Sequence, residues 1–255
     1  IHLTEAKRTL VRSRLSRRLR EKDIASFADY VAHIERDADE RRAMVIALTT
    51  NHTHFFREAH HFDHFRVRLL PQLKARASGK GVRIWSAGCS SGEEAYTIAM
   101  CLLGRDRAEA AWLRGQDVRV LATDISVPMI ELARCGVYGA EMLGSIPEPY
   151  RSAWLRPHPD GFEMASEARA LVTAQTLNLF ETWPMRQFYD AIFCRNVMIY
   201  FDNDAKAELE ARLVERLAPG GFLYIGHSER LLHPAEIGMT LCGQTIYAKN
   251  KGDLR

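Results

Sequence analysis

The sequence lacks a long apolar segment. Its longest stretch without Asp, Glu, Lys or Arg runs from Ala43 to Phe56 and includes two His, one Asn and three Thr. A membrane-spanning helix needs about 20 mainly apolar residues, so we expect no direct membrane insertion. No signal peptide is recognisable. The chain opens at Ile1 and not at Met, which is the pattern of a sequence truncated at its start.

Cysteine is scarce and its spacing suggests no pairing. The five cysteines are an odd number and form no C-x-x-C pair, which disfavours a disulfide scaffold and fits reduced thiols in a cytoplasmic protein. The 255 residues are 47% hydrophobic and 26% charged. This ordinary globular composition excludes a disordered or fibrous chain and allows one or two domains.

Positive charge is concentrated in one segment. The formal net charge is only +3, yet residues 5–22 hold eight Lys or Arg against two Glu. Between Lys7 and Arg20, apolar residues recur at helical spacing (Val11, Leu15 and Leu19), which predicts an amphipathic helix with a basic outer surface. Such a surface indicates an acidic partner. The arginines predicted to contact this partner are Arg8, Arg12, Arg14, Arg17 and Arg18.

Helical spacing of apolar residues continues to about residue 70. Residues 24–35 and 41–49 show it without β-branched alternation, so residues 1–70 are predicted to form a small all-helical domain. Residues 71–81, PQLKARASGKG, combine Pro, Ser and Gly around a basic centre. This composition predicts a linker.

The pattern changes at residue 82, where short β-rich runs begin to alternate with helical segments. Strands are predicted at 82–87, 118–123, 170–175, 190–195 and 222–227, and helices at 93–103, 204–217 and after Ser126. The alternation predicts an α/β fold with a parallel sheet covered on both faces. Residues at about 145–170 are rich in Pro, Gly and Glu around the turn PHPDG and predict an insertion with its own hairpin.

Candidate ligand-binding residues follow the first two strands. In a doubly wound sheet, a glycine turn after a strand admits a cofactor and an acidic residue binds ribose hydroxyls. Gly88 opens the turn GCSSG, and Asp124 ends the second strand. The turn lacks G-x-G-x-x-G spacing, and a tight turn without a ligand explains it equally well. Glu94 suits a cationic ligand such as a sulfonium, although the helix dipole alone favours a carboxylate there.

Residues 48–62, LTTNHTHFFREAHHF, are dense in His and aromatic side chains. Zinc is disfavoured because no Cys or acidic ligand falls at the spacing of a zinc site. We expect Phe55 and Phe56 to pack the helical domain onto the sheet domain. Asn51, Thr53 and Arg57 are then expected to face the cleft between them.

A later apolar strand leads into CRNVMIYF, residues 194–201. Arg195, Asn196 and Tyr200 should therefore lie at the carboxyl end of that strand. Hydrogen bonding within a loop is the alternative role for these three side chains.

Five segments in this order, LTTNHTHFFREAHHF, IWSAGCSSGEEAY, ATDIS, IFCRNVMIYF and GHSE, resemble the bacterial chemotaxis receptor glutamate O-methyltransferases, the CheR family. The resemblance covers nearly the whole chain. It implies a Rossmann-like S-adenosylmethionine-dependent methyltransferase domain at 82–255 with a small inserted β-subdomain, preceded by a small all-helical N-terminal domain. It also implies methyl transfer to glutamates on the cytoplasmic helices of chemoreceptors, with S-adenosylhomocysteine as product. We expect a monomer that needs no metal.

The resemblance also implies site residues. The cofactor contacts are Asn51, Thr53, Arg57, Gly88, Glu94, Asp124, Asn178, Leu179, Arg195 and Asn196, with Asn178 and Leu179 near the adenine. Arg57 and Tyr200 lie nearest the transferred methyl group and are the expected catalytic residues. The basic helix is expected to dock the acidic methylation helices of a receptor.

The chain departs from the family at two points. The family's usual first helix is absent, as expected for a truncated start. Members that bind a receptor's C-terminal pentapeptide tether carry a Gly-x-Gly-like stretch in the inserted subdomain, whereas here Arg156 is followed directly by Pro157 and His158. The sequence therefore predicts a tether-independent enzyme.

Two other functional classes stay open. A nucleic-acid methyltransferase would also place a cationic helix beside a cofactor domain, but the basic helix has no aromatic residues for base stacking, so no nucleic-acid partner is expected. A non-catalytic signalling adaptor would bind S-adenosylmethionine as a structural ligand. Loss of a site residue would favour the adaptor, and every position carried over from the family is intact.

Overall fold

The computed structural model describes residues 8–77 and 79–251 and divides into two compact units. The smaller unit comprises the chain up to Asn51 together with Tyr200–Asp202, and the larger unit comprises the remainder. The division therefore falls near residue 51 and not at the predicted boundary of residue 70. Among the described residues, no helix combines the length and the apolar character needed to cross a membrane.

Within residues 8–51, three helices build the smaller unit: α1 (Arg8–Glu21), α2 (Phe27–Arg36) and α3 (Ala38–Leu48). Lys7, the predicted start of the first helix, lies outside the described residues. The side chains of Ser26 and Asp37 accept backbone N–H groups at the starts of α2 and α3, which satisfies donors that a helix leaves unpaired. The core is formed by Leu15, Leu19, Tyr30 and Leu48. The apolar stripe predicted for α1 is thus buried at two of its three positions.

Arg14 does not belong to the outer surface of α1. Its Nη1 donates to the carbonyl oxygens of Leu48 and Thr49 at 2.8 and 2.7 Å. These carbonyls lie at the carboxyl end of α3, where a cation is favourable. The docking role predicted for Arg14 stays a prediction, and within its own unit the guanidinium holds α1 to α3.

Arg18 is likewise used within the smaller unit. Its Nη2 pairs with the buried carboxylate of Glu40 at 2.6 Å, and Tyr30 donates to the same carboxylate at 2.8 Å. Burial alone would raise the pKa of Glu40, but the hydrogen bonds from Arg18 and Tyr30 lower it to about 2. The docking role predicted for Arg18 likewise stays a prediction. The exposed arginines of the predicted docking set are Arg8, Arg12 and Arg17.

The larger unit contains a continuous helical segment where a linker is predicted. It consists of α4 (Ala59–His64), a π-helical turn (Phe65–Leu69) and α5 (Leu70–Arg76). Pro71 lies inside this segment, just after the π-helical turn, and has no N–H to donate to the preceding turn. Leu73 and Ala77 are buried in the core. The prediction of a linker is wrong through residue 76, because a proline resembles a break in the sequence even where the chain stays helical.

The strands of the larger unit form two sheets. In chain order they are β1 (Val82–Ala87), β2 (Val118–Asp124), β3 (Val137–Tyr138), β4 (Leu155–His158), β5 (Gly161–Met164), β6 (Val172–Thr176), β7 (Tyr189–Cys194), β8 (Leu217–Ile225), β9 (Met239–Gly243) and β10 (Ile246–Lys249). The main sheet has the order β6-β2-β1-β7-β8-β10-β9. Its pairs are parallel except those made by β10. The predicted Rossmann-like fold is confirmed.

Helices alternate with the strands of the main sheet. They are α6 (Glu93–Leu103), α7 (Val127–Cys135), α8 (Glu148–Trp154), α9 (Ser166–Leu171) and α10 (Asn203–Arg216). Neighbouring residues of β1 face opposite sides of the sheet: Ile84 lies in the core cluster with α6, whereas Trp85 packs against Trp183 at 4.9 Å between ring centres. Both faces are therefore covered, as the alternation of strands and helices predicts.

The inserted subdomain is a three-stranded sheet with the order β3-β5-β4. Its hairpin turns at residues 159–160, within the predicted PHPDG turn. It begins at Val137, earlier than predicted, because a two-residue strand leaves no alternation in the sequence. The Tyr138 hydroxyl donates to the carbonyl oxygen of Ser91 at 2.9 Å. The insertion is therefore tied to the glycine turn that follows β1.

The strand order reverses between the central strands β1 and β7, and this creates a crevice at their ends. From β1 the chain continues outward to β2 and β6, and from β7 it continues in the opposite direction to β8. Ligands of open α/β sheets bind outside the carboxyl ends of the strands at such a reversal. Ala87 and Cys194 end the two central strands. The site is therefore expected beside Gly88 and Arg195.

Candidate active site

The turn Gly88–Gly92 follows β1 and presents bare backbone to the crevice. The N–H groups of Gly88 and Cys89 both donate to the Thr123 carbonyl of β2, at 2.8 and 2.9 Å. Gly88, Ser90 and Gly92 have φ values of 84, 50 and 99°, a region that glycine enters without strain. A Cβ on Gly88 would lie 2.4 Å from Cγ2 of Val197. Glycine is therefore needed at position 88 because Val197 packs against the turn, and close approach of a cofactor at this turn stays a prediction.

We expect Gly88→Ala to destabilise the protein by about 1–3 kcal/mol and to weaken S-adenosylmethionine binding, because the new methyl group combines a positive φ with overpacking. Urea unfolding and calorimetric titration measure the two effects. The matched control is Gly115→Ala, since Gly115 has a φ of 71° and no atom within 4 Å of an added Cβ. Adding Val197→Ala should restore part of the loss. Equal effects at Gly88 and Gly115 would contradict the proposed crowding.

Asp124 ends β2 beside the glycine turn. Its Oδ2 accepts the N–H of Ser90 and its Oδ1 the N–H of Ser126, both at 2.9 Å. Burial raises the pKa of Asp124, and these N–H donors oppose the rise. The carboxylate is thus fixed at the strand end where the sequence predicts a ribose contact.

The predicted adenine contacts follow β6 on the same edge of the sheet. The Leu177 N–H donates to the Asp124 carbonyl at 2.9 Å, which places the segment beside β2. Asn178 accepts the Phe180 N–H at 3.0 Å through its own side chain. The backbone carbonyl of the buried Leu179 accepts a hydrogen bond from Nε1–H of Trp183 at 3.2 Å. Asn178 and Leu179 are therefore held near Asp124, and their contact with adenine stays a prediction.

Residues 54–58 form a tight turn that precedes α4. Phe56 and Glu58 have φ values of 55 and 58°, and the Phe56 N–H donates to Oγ1 of Thr97 in α6 at 3.1 Å. The Phe55 ring lies 4.9 Å from that of Tyr138, and the Phe56 ring lies 5.1 Å from that of Tyr150. The packing predicted for Phe55 and Phe56 is corrected, since these contacts fix the turn within the larger unit.

Arg57 lies between the two left-handed residues of this turn. Its side chain is half-buried, and Nη1 donates to the His52 carbonyl at 2.6 Å. Thr53 is half-buried in the same unit, whereas Asn51 and Tyr200 belong to the smaller unit. The roles predicted for these four residues stay predictions.

Arg195 is an internal cation at the carboxyl end of β7. Only 3% of its side chain is exposed, and its two Nη atoms pair with Glu94 at 2.8 Å and with Glu58 at 3.2 Å. Its Nη2 also donates to the Arg57 carbonyl. Glu94 accepts a second bond from the Ser86 hydroxyl at 2.6 Å. The charge of Glu94 is thus compensated within the protein, and its predicted contact with a sulfonium stays a prediction.

Glu58 is a central residue of the site that sequence reasoning missed. Its Oε1 lies 2.8 Å from Nδ1 of His227 and 3.5 Å from Nδ2 of Asn196. Burial alone would raise the pKa of Glu58, but the charge of Arg195 and the bonds from His227 lower it to about 2. Glu58 and His227 occur in the quoted motifs FFRE and GHSE. The sequence does not indicate that the two side chains contact each other, because they lie 169 positions apart.

The histidine-rich segment is used for packing around a neutral imidazole. His61 is fully buried, and its Nε2 lies 2.9 Å from the Thr245 hydroxyl. Burial, helped by the charge of Arg195, lowers the pKa of His61 to about 3. In the part of the chain that the structure describes, no group of three His, Cys, Asp or Glu is placed to hold a metal ion.

Acidification should therefore destabilise the larger unit. His61 stays neutral in the folded state while the unfolded chain binds a proton below its ordinary pKa of 6.5, so stability falls from that pH towards about 3, by up to about 1.4 kcal/mol per pH unit. Glu58, with its lowered pKa, adds a further loss of stability as the pH falls from about 4.5 to about 2. Urea unfolding at several pH values measures the slope.

The variant His61→Gln should flatten the acid dependence above about pH 5, because glutamine cannot take up a proton. The matched control is His52→Gln, since His52 is exposed. An unchanged slope in His61→Gln would show that another group controls the acid dependence.

Comparison with protein families matches both parts of the chain. Residues 51–247 match the family described as CheR methyltransferase, SAM binding domain, and residues 1–49 match CheR methyltransferase, all-alpha domain. The chain is 40% identical over 254 residues to a probable chemotaxis protein methyltransferase of Rhizobium etli, covering 97% of this chain and 93% of the relative.

Two further relatives agree. Chemotaxis protein methyltransferase 2 of Pseudomonas aeruginosa is 41% identical over 253 residues, covering 97% of this chain and 87% of the relative. The chemotaxis protein methyltransferase of Escherichia coli is 40% identical over 259 residues, covering 98% of this chain and 86% of the relative. The matches extend through both parts of the chain at nearly full length.

Proposed function

Because this chain belongs to the CheR family of S-adenosylmethionine-dependent methyltransferases, we propose that it methylates glutamate side chains on the cytoplasmic helices of chemoreceptors, for adaptation in chemotaxis. The observation that carries this proposal is the match of both the helical and the cofactor-binding part of the family. A cofactor fold alone occurs with many substrates. The helical part, with its basic first helix, is what favours an acidic protein substrate.

The residues of the crevice fit the cofactor. The glycine turn follows β1 at the crevice, with Gly88 at a φ of 84°, and the fixed carboxylate of Asp124 suits ribose hydroxyls. When bound, S-adenosylmethionine supplies an electrophilic methyl group. The residues proposed to hold it are Asn51, Thr53, Arg57, Gly88, Glu94, Asp124, Asn178, Leu179, Arg195 and Asn196.

The proposed acceptor needs little activation. A glutamate with an ordinary pKa of about 4.3 is already ionised at neutral pH, so no general base is required. Catalysis then rests on in-line positioning and on exclusion of water from the carboxylate. Arg57 would orient a carboxylate, either of the incoming glutamate or of the cofactor, by a charge-assisted hydrogen bond. Tyr200 would shape the methyl pocket.

The proposed receptor contact predicts a specific kinetic defect. The double variant Arg8→Ala, Arg12→Ala should raise KM for the receptor several-fold at unchanged kcat, because a surface charge contributes to encounter more than to chemistry. The difference should shrink as salt rises. The matched control is Arg41→Ala, Arg42→Ala on α3 of the same unit, where both arginines are exposed. Equal KM values for the two double variants would exclude a docking role for α1.

We also propose that the enzyme acts without a receptor tether. Prolines in a sheet are tolerated where the nitrogen faces away from the partner strand, so the outer edge of β4 lacks a donor at Pro157. Peptides often bind by adding a strand to such an edge, and the missing N–H disfavours this. Pull-down with an immobilised tether pentapeptide tests the proposal. Firm saturable binding would overturn it.

The proposed activity is tested with methyl-labelled S-adenosylmethionine and receptor-containing membranes. Label on a receptor band that alkali releases as methanol would establish carboxyl methylation. A non-catalytic adaptor predicts cofactor binding with no label on any receptor or acidic helical peptide. A nucleic-acid methyltransferase predicts label on added nucleic acid that alkali does not release as methanol.

A further inference from the structure

Glu229 is a buried carboxylate that no predicted role uses. It belongs to the motif GHSE after β8, and only 5% of the residue is exposed. Its Oε2 accepts the N–H of Gly226 at 2.5 Å and of Asn196 at 3.0 Å, and its Oε1 accepts the N–H of Ile199 at 3.1 Å. One carboxylate therefore joins the loops that follow the adjacent strands β7 and β8.

The backbone around Glu229 is arranged for an anion. Burial raises its pKa, and the groups that oppose the rise most are the backbone N–H groups of Gly226, Asn196 and Ile199. Convergent backbone N–H groups around a left-handed residue form an anion-binding concavity, and Asn196 has a φ of 59°. The Glu229 carboxylate therefore occupies the position that an anion takes in such a concavity.

This loop carries groups that the crevice needs. Asn196, a proposed cofactor contact, follows Arg195 directly, and its side chain reaches Glu58. Gly226 lies close to Asn196: a Cβ there would be 2.5 Å from Nδ2 and 2.7 Å from the backbone nitrogen of Asn196. The bond from the Asn196 N–H to Glu229 and the lack of a side chain at Gly226 are both compatible with the left-handed conformation of Asn196.

We infer that Glu229 is a positioning residue that holds Asn196 in the conformation that binds the cofactor. Glu229 is not itself a proposed cofactor contact, and it acts on the ligand through its hydrogen bond with Asn196. The inference rests on the proposed function, in which Asn196 contacts S-adenosylmethionine. It is tested by ligand binding, which needs no methyl acceptor.

The test compares Glu229→Gln with Glu210→Gln by calorimetric titration of S-adenosylhomocysteine and by urea unfolding. Glutamine at 229 presents an NH₂ group where backbone N–H groups need an acceptor, so we expect the Kd to rise about tenfold or more. Glu210 is a matched control: it is 2% exposed, and its carboxylate accepts the Leu232 N–H at 3.1 Å in the same unit. Glu210→Gln should lose stability and keep its Kd within about twofold.

A second variant covers the case in which Glu229→Gln does not fold. Gly226→Ala keeps the carboxylate and displaces Asn196 by a direct clash with the added Cβ, so it should raise the same Kd. In receptor assays, Glu229→Gln should raise KM for S-adenosylmethionine and leave KM for the receptor unchanged. A wild-type Kd in both Gly226→Ala and folded Glu229→Gln would overturn the inference. If wild type binds the cofactor but labels no receptor, the proposed function fails, while the comparison of Kd values still decides the role of Glu229.

Discussion

Replacement of Arg57 by alanine is expected to lower kcat at least about 100-fold, to the level of lost turnover, while the protein stays folded. Removing one charged group that orients or stabilises a reacting centre has effects of about 10²–10³. The side chain is only half-buried, and its described hydrogen bond, to the His52 carbonyl, lies within its own loop. Little stability therefore depends on it. Initial rates of methyl transfer at saturating S-adenosylmethionine and receptor measure the effect.

The control for this prediction is Arg66→Ala. Arg66 lies a short distance along the same chain segment and pairs with Asp63, its side chain 36% exposed. Arg66 also hydrogen-bonds Tyr150, which is not among the predicted site residues. We expect a rate within about twofold of wild type, since a partly exposed ion pair contributes little. Arg57→Lys keeps the positive charge but lacks the planar guanidinium group, so its rate should lie between those of wild type and Arg57→Ala. A rate for Arg57→Ala within about twofold of wild type would refute its proposed role.

Arg195→Met should lower the free energy of unfolding by about 3–5 kcal/mol, the largest stability effect that we expect from a single substitution in this protein. Arg195 is the cation between two buried carboxylates, Glu58 and Glu94. Methionine fills similar space but leaves both charges unpaired. Each must then be protonated or hydrated, and either change opposes folding. Urea unfolding at neutral pH measures the loss.

Two controls isolate the buried charge. Adding Glu94→Gln to Arg195→Met removes one unpaired carboxylate and should restore part of the stability. Arg42→Met breaks a surface pair with Asp39, in which the side chains are 63% and 92% exposed, and should have an effect below about 1 kcal/mol. If Arg195→Met is no more destabilising than Arg42→Met, the ion-pair cluster does not stabilise the fold.

The parts of the fold that local chemistry determines could be predicted from the sequence. The strand at residues 82–87 and the glycine turn after it occur where they are expected, because a short β-rich run followed by glycines allows few other structures. Asp124 was identified for a similar reason, since it ends the next strand. These features depend on neighbours within a few residues.

What depends on distant partners could not be predicted. Arg14 and Arg18 have the same spacing as the exposed arginines of α1, and only the positions of α3 and Glu40 distinguish them. Glu94 meets its partner Arg195 across 101 positions of sequence. A carboxylate in the first turn of a helix looks the same whether it serves a ligand or an internal cation, so sequence could indicate the site but not the internal support behind it.

The inserted subdomain has adjoining ends, and this bears on how such enzymes can diverge. The carbonyl oxygen of Gly136, the residue just before the insertion, accepts the N–H of Met164 on its last strand at 2.9 Å. A segment that leaves and rejoins a scaffold at one place can be exchanged without moving the strands around it. The hairpin of β4 and β5 could thus be exchanged between enzymes to change what the insertion binds. Tyr138 on β3 would have to be kept, because its hydroxyl donates to the glycine turn.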